Sequence, residues 1–291
     1  MNDCLTQLAA CTKYALEHKR SIILEMQKYS ATNLDTIFDF SRFPVPVYTN
    51  FEEKAAELAD APIEPSWINS VLDDVYKRGP VSKFNFAKSY PSDTVLMYAA
   101  GGGGAGDDAV NILSHIRLKP AVLAAYHKKM KECSIPAEYI SIHLRATDRK
   151  LNITNNITGM LLKDSNAIIK KPSTGNTHAD SLRKVGHFIH AHPSIPVFVA
   201  GDNPNLINKL RGQYPKIITN IPEHNRCKSN RGCGRLHEHG RTDPNNLSNA
   251  IVDLLILAGA KAIMTSQGGY SRLAKKLLKH KEILQNLMSP L

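Results

Sequence analysis

Tyr139-Ile140-Ser141-Ile142-His143-Leu144-Arg145-Ala146-Thr147-Asp148-Arg149-Lys150 is the stretch from which the fold is read. Ile140, Ile142 and Leu144 alternate with polar neighbours, which is the period of a β-strand. A helical run over residues 120–133 ends just upstream, and Pro136 separates the two. The strand leads straight into His143, Arg145, Asp148, Arg149 and Lys150. Charge gathered at the C-terminal end of a strand marks the sheet edge where α/β proteins bind ligands. An arginine there suits a phosphate, because its planar fork of donors meets two oxygens at once. Solvated charges at a strand end are the other reading, and this segment alone does not separate the two.

Downstream, strands and helices alternate. Residues 180–190 read as a helix with Leu182, Val185 and Ile189 on one face, and residues 196–200 as a buried strand. Gly201-Asp202-Asn203-Pro204 starts the next helix, 205–211, and residues 216–219 form another strand. Such alternation argues for a parallel sheet. Residues 246–257 form a helix with Leu247, Ile251, Leu254 and Leu255 towards the core, and Asp253 beside that stripe. Read by itself, Asp253 is an ordinary solvated carboxylate. After a strand at 262–264, Thr265-Ser266-Gln267-Gly268-Gly269-Tyr270-Ser271 makes a tight turn before a helix over 272–287. Glycines and hydroxyls at a helix start make an anion site, since free N–H groups and the positive dipole end face the ligand.

Upstream, residues 4–16 read as a helix with Leu5, Leu8, Ala9, Ala15 and Leu16 on one face and Thr12 as its polar member. Strands are expected at 21–24 and 45–48, helices at 52–60, 67–76 and 107–116, and a strand at 94–99. Gly101 to Gly104, Ala105 and Gly106 follow that strand. They lack the Lys-Ser/Thr of a P-loop and the dinucleotide fingerprint, so a loop is favoured over a phosphate cradle. Residues 151–174 read as a long loop with a short helix around 160–162. His224, Cys227, Cys233, His237 and His239 invite a zinc reading, but their spacing fits no standard site and four cations lie among them. A basic loop is favoured.

Length sets a prior of about two domains for 291 residues. With 42% apolar residues the chain can bury a proper core. A net charge of +11 favours anionic partners, yet the basic residues are dispersed. Without a standard zinc finger or an RNP-like aromatic motif, no nucleic-acid partner is expected. Five cysteines, odd in number and widely spaced, do not form a disulfide framework. No apolar run reaches the length of a membrane span, and no signal peptide is visible, so a cytoplasmic location is expected.

Three segments together resemble the fucosyltransferase superfamily that includes α1,6-fucosyltransferases and protein O-fucosyltransferases. His143-Leu144-Arg145-Ala146-Thr147-Asp148-Arg149 is similar to its first motif, His-x-Arg followed by Thr-Asp. Val197 to Pro204 is similar to the second, and Ala250 to Leu257 followed by Thr265 to Ala274 to the third. Asp3 to Ala10 and Tyr14-Ala15 resemble the first helix of the rhizobial chitin-oligosaccharide fucosyltransferases. That family's first strand and glycine turn normally precede this helix, so the N-terminal domain is expected to be trimmed or residues to be missing before it. The carboxylate that some members carry soon after His-x-Arg has no clear equivalent here. The phosphate turn is also less serine-rich than theirs.

The resemblance implies an α/β, GT-B-like architecture: two Rossmann-like domains with a cleft between them. An acceptor-side domain would span residues 1–135 and a nucleotide-sugar domain 136–291, with the last helix packing back on the first. It implies an inverting transfer of L-fucose from GDP-fucose to a saccharide acceptor, with no cofactor and no metal. Arg145 would hold the diphosphate and His143 would orient the donor. Asp253 would accept from guanine N1–H and the 2-amino group. Asp202, Ser266, Gly268, Gly269, Tyr270 and Ser271 would complete the donor site. Asp148 is the candidate general base and Asp202 a weaker one. Another donor, such as UDP-xylose, and a non-catalytic nucleotide- or glycan-binding protein stay open as alternatives.

Overall fold

A computed structural model describes residues 2–24, 34–49, 89, 108–145, 157–159, 178–201, 203–219, 245–266 and 268–290. The elements expected at 52–60, 67–76 and 94–99, the glycine run, the helix around 160–162 and the Cys/His loop lie outside the described residues. So do Asp148 and Asp202.

Helix α1 (Asn2–Glu17) buries Leu5, Leu8, Tyr14 and Ala15. Thr12 lies on the same buried face, and its hydroxyl donates to the Leu8 carbonyl at 2.7 Å. That bond is what lets a polar residue sit there. β1 (Ile22–Ile23) pairs in parallel with β3 (Val47–Tyr48), while β2 (Phe38–Asp39) pairs antiparallel with β4 (Arg117–Leu118). Between them the helix expected over 107–116 is shorter: α2 (Asp108–Asn111) passes into a 3-10 turn, Ile112–His115. Tightening to 3-10 geometry is common where a helix ends. α3 (Pro120–Glu132) starts with proline in its first turn, where the missing N–H costs nothing.

β5 (Ile140–Leu144), β6 (Ile157–Gly159), β7 (Val197–Gly201), β8 (Ile217–Thr219) and β9 (Ala262–Thr265) form a five-stranded sheet in the order β6-β9-β5-β7-β8. β5, β7, β8 and β9 run parallel, and β6 lies antiparallel on the β9 edge. The β6 strand falls inside the stretch expected to be loop. β7 and β8 extend the sheet on one side of β5, and β9 lies on the other after a crossover. The carboxyl ends of β5 and β9 therefore flank the point where the connections part, the place where open α/β sheets bind ligands.

Side chains alternate across the sheet. Ile140, Ile142, Leu144, Val197 and Val199 pack on α4 (His178–His190) and α5 (Pro204–Gln213). Phe198, Ala200 and Ile263 face α6 (Asn245–Gly259) and α7 (Gly269–Lys279). The Asn203 side chain caps α5 by accepting from the Leu206 N–H at 3.0 Å, with Pro204 in the first turn, as the turn chemistry predicts. α6 is fixed endwise to β5. Tyr139 and Ser141 donate to the Ile256 and Leu257 carbonyls at 2.7 and 2.9 Å. Those carbonyls belong to the last turn, where no intrahelical donor is left for them.

The single helix expected over 272–287 is two: α7, then α8 (Lys281–Met288), broken at His280. A continuous helix would carry His280 and Lys281 onto the stripe buried by Leu277 and Leu284. The break keeps both residues at the surface while Ile283, Leu284 and Leu287 stay inside. α8 then meets the N-terminal elements, with Asn286 donating to the Ser114 carbonyl at 2.6 Å and Arg117 to the Pro290 carbonyl at 2.9 Å. One buried apolar cluster thus runs from Leu5 to Leu287. No helix among the described residues is long and apolar enough to cross a membrane.

Two glycines test this packing. A Cβ on Gly201 would lie 2.5 Å from the Leu144 carbonyl oxygen, between the ends of β7 and β5. A Cβ on Gly212, in the last turn of α5, would meet nothing within 4 Å. We expect Gly201→Ala to lower the unfolding free energy by on the order of 2 kcal/mol. Gly212→Ala should raise it by about 0.5 kcal/mol. Denaturant titration of both variants checks this, and equal effects would contradict the strand-end packing.

Candidate functional site

Two strand ends and one helix start meet at the parting of the crossovers. β5 and β9 pair in register through His143 and Thr265. One step further, the Ser266 N–H donates to the His143 carbonyl at 3.0 Å. Two residues beyond His143, the Arg145 N–H donates to Ser266 Oγ at 2.9 Å. Arg145 thus leaves the sheet directly beside the turn into α7. Its side chain lies along Gly268, with a guanidinium nitrogen 3.6 Å from where a Cβ would sit.

Gly268 is the residue before α7, with φ 141° and ψ 158°. That region is essentially closed to residues with a side chain. No side chain caps α7, and its first internal bond runs from the Arg272 N–H to the Gly268 carbonyl. By position, the N–H groups of Gly269, Tyr270 and Ser271 are the first-turn donors of the helix, and no bond to a carbonyl is made by them among the described residues. The positive end of a helix eleven residues long thus begins beside the Arg145 side chain.

Behind this edge lies a buried polar knot. Ser271 Oγ and Ser266 Oγ are 2.5 and 3.3 Å from His143 Nδ1, and all three side chains are inside the protein. Burial, and secondarily the Arg145 charge, push the His143 pKa down to about 4, so the ring is neutral near pH 7. The Tyr270 ring stands 5.1 Å from the His143 ring, and its hydroxyl donates to the Ala250 carbonyl at 2.6 Å. Burial and then the charge of Asp253 hold the Tyr270 phenol well above its usual range. Asp253, one turn after Ala250 on α6, is thereby linked to the strand-end group through Tyr270.

The structure brings together His143, Arg145, Ser266, Gly268, Gly269, Tyr270 and Ser271, and Asp253 is coupled to them through its charge on Tyr270. A further residue, unforeseen from the sequence, feels the Asp253 charge: Cys133, at the end of α3. Burial raises that thiol's pKa, Lys129 opposes the rise, and the charge of Asp253 adds to it. Cys133 Sγ lies 3.8 Å from the Thr219 carbonyl at the end of β8. No local pattern signals this meeting of residues 120 positions apart, because it is made by the crossover. Among the described residues, no group of three or more His, Cys, Asp or Glu is arranged to hold a metal ion.

The buried histidine has a measurable consequence. With a folded pKa below its ordinary 6.5, His143 takes up a proton less readily in the folded chain than in the unfolded one. Stability is therefore complete above pH 6.5 and is lost as pH falls towards 4. Between pH 7 and pH 4 the wild type should lose on the order of 3 kcal/mol more than His143→Asn. Unfolding curves at both pH values check this; parallel losses in the two proteins would contradict it.

No family model and no curated protein matches the chain. Solved structures do. NodZ alpha-1,6-fucosyltransferase soaked with GDP-fucose aligns with a TM-score of 0.60 at 17% identity, covering 95% of this chain and 89% of that one. NodZ alpha-1,6-fucosyltransferase co-crystallized with GDP gives 0.59 at 16% identity, covering 94% and 88%. Fucosyltransferase NodZ from Bradyrhizobium gives 0.58 at 16% identity, again covering 94% and 88%. The chain has the fold of these fucosyltransferases, over nearly all of its length.

Proposed function

We propose that the protein is an inverting glycosyltransferase that transfers L-fucose from GDP-fucose to a saccharide acceptor, without a metal. The observation that carries the reading is the Arg145 side chain lying along Gly268 at the open start of α7. A guanidinium and a row of unpaired N–H groups at one sheet edge form a diphosphate clamp. The fold shared with NodZ, whose structures include GDP-fucose and GDP forms, supports the same donor class. We assign the fold to the GT-B type, with residues 1–135 on the acceptor side and 136–291 on the donor side.

In this reading the acceptor hydroxyl oxygen attacks the anomeric carbon as the bond to the β-phosphate oxygen breaks. The electron pair leaves with GDP, and the hydroxyl proton passes to a base, for which we put forward Asp148. Charge builds on the departing diphosphate. Arg145 and the N–H groups of Gly269, Tyr270 and Ser271 offset it without needing to reorganise. Asp253 accepts from guanine N1–H and the 2-amino group, a donor pair that adenine lacks. Asp202, which follows β7 in the sequence, would complete the donor site.

Calorimetric titration tests the donor: GDP should bind at least tenfold more tightly than UDP or ADP, and a preference for UDP would overturn the guanine assignment. Arg145→Ala should lower kcat by on the order of 10²–10³ while leaving the unfolding midpoint unchanged. Near-normal turnover would remove Arg145 from the mechanism. Asp148→Asn should abolish transfer yet keep GDP affinity; loss of both would make Asp148 a binding residue.

A further inference from the structure

We propose that His143 is a positioning residue: its Nδ1 ties Ser271 to Ser266 and so fixes the distance between the Arg145 guanidinium and the open start of α7. The inference rests on the donor reading above and assigns the three buried side chains a task distinct from contact with the donor.

The geometry separates two layers. Arg145, Gly268, Gly269 and Tyr270 are partly exposed, whereas His143, Ser266 and Ser271 are buried. Both serine hydroxyls bond inward: Ser271 Oγ to His143 Nδ1, and Ser266 Oγ to the same nitrogen and to the Arg145 N–H. Ser266 directly follows β9, Ser271 belongs to the first turn of α7, and His143 to β5. One nitrogen therefore joins all three elements that build the clamp. Tyr270 covers the ring from α7, and Arg145 is the charge beside it. A guanidinium and a set of amides must hold one spacing to grip two phosphates, and a shift of about 1 Å at such a site costs on the order of a hundredfold in rate. A hydrogen-bonded hub set behind the contact groups is what holds that spacing.

Side chains acting through one hub do not contribute independently. In the full chain, His143→Leu and Ser271→Ala should each weaken GDP binding about tenfold by calorimetry. The double variant should be no weaker than about the same tenfold. His143→Asn keeps a hydrogen-bonding atom at the Nδ1 position and should recover most of the affinity lost in His143→Leu. If the serine and histidine losses multiply, the residues act separately and the proposal fails. It also fails if His143→Asn is as weak as His143→Leu, since the ring would then touch the ligand through Nε2. Ser271→Ala and His143→Asn are small enough changes to keep the test open if His143→Leu does not fold. Wild-type protein that does not bind GDP would overturn the donor reading and this proposal with it.

Discussion

The parallel pairing of β5 with β9 is the constraint on which the site depends. Register places His143 opposite Thr265, so the next residues of each strand leave the sheet side by side. Arg145 and Ser266 then meet through one backbone N–H and one hydroxyl. A slip of one residue would turn Arg145 to the opposite face of the sheet, away from α6 and α7. The turn at Gly268 would lose the guanidinium lying along it. Burial on both faces of β5 makes such a slip costly, because Ile142 and Leu144 would exchange places with His143 and Arg145.

Packing carries that constraint outward. Tyr139 and Ser141 tie the end of α6 to β5, and Tyr270 ties the start of α7 to α6. Asp253 thus lies between two tied points of its helix, Ala250 on one side and Ile256 and Leu257 on the other. The same helices bury their other faces against α1, β2 and α8. The residues around the turn into α7 are therefore tied to the common core.

Much of this arrangement was legible in local pattern. A period-two run located β5, short apolar runs located β7 and β9, and Asn203-Pro204 located the start of α5. Gly268-Gly269 between a strand and an amphipathic helix pointed to an anion site, and the φ of Gly268 gives the physical reason for glycine there. The break at His280 was less visible, because two adjoining amphipathic stretches look like one until the stripe is followed across it. The inward turn of Ser266 and Ser271 could not be read at all. Whether a serine beside an anion site faces the ligand or the core is decided by the histidine on a strand more than 120 residues earlier. The electrostatic coupling of Cys133 to Asp253 is hidden for the same reason.

A crystal structure with GDP bound tests the central claim most directly. Diphosphate oxygens are expected about 3 Å from the Arg145 guanidinium and from the N–H groups of Gly269 to Ser271, with guanine against Asp253. A diphosphate held elsewhere, with Arg145 turned to solvent, would contradict it.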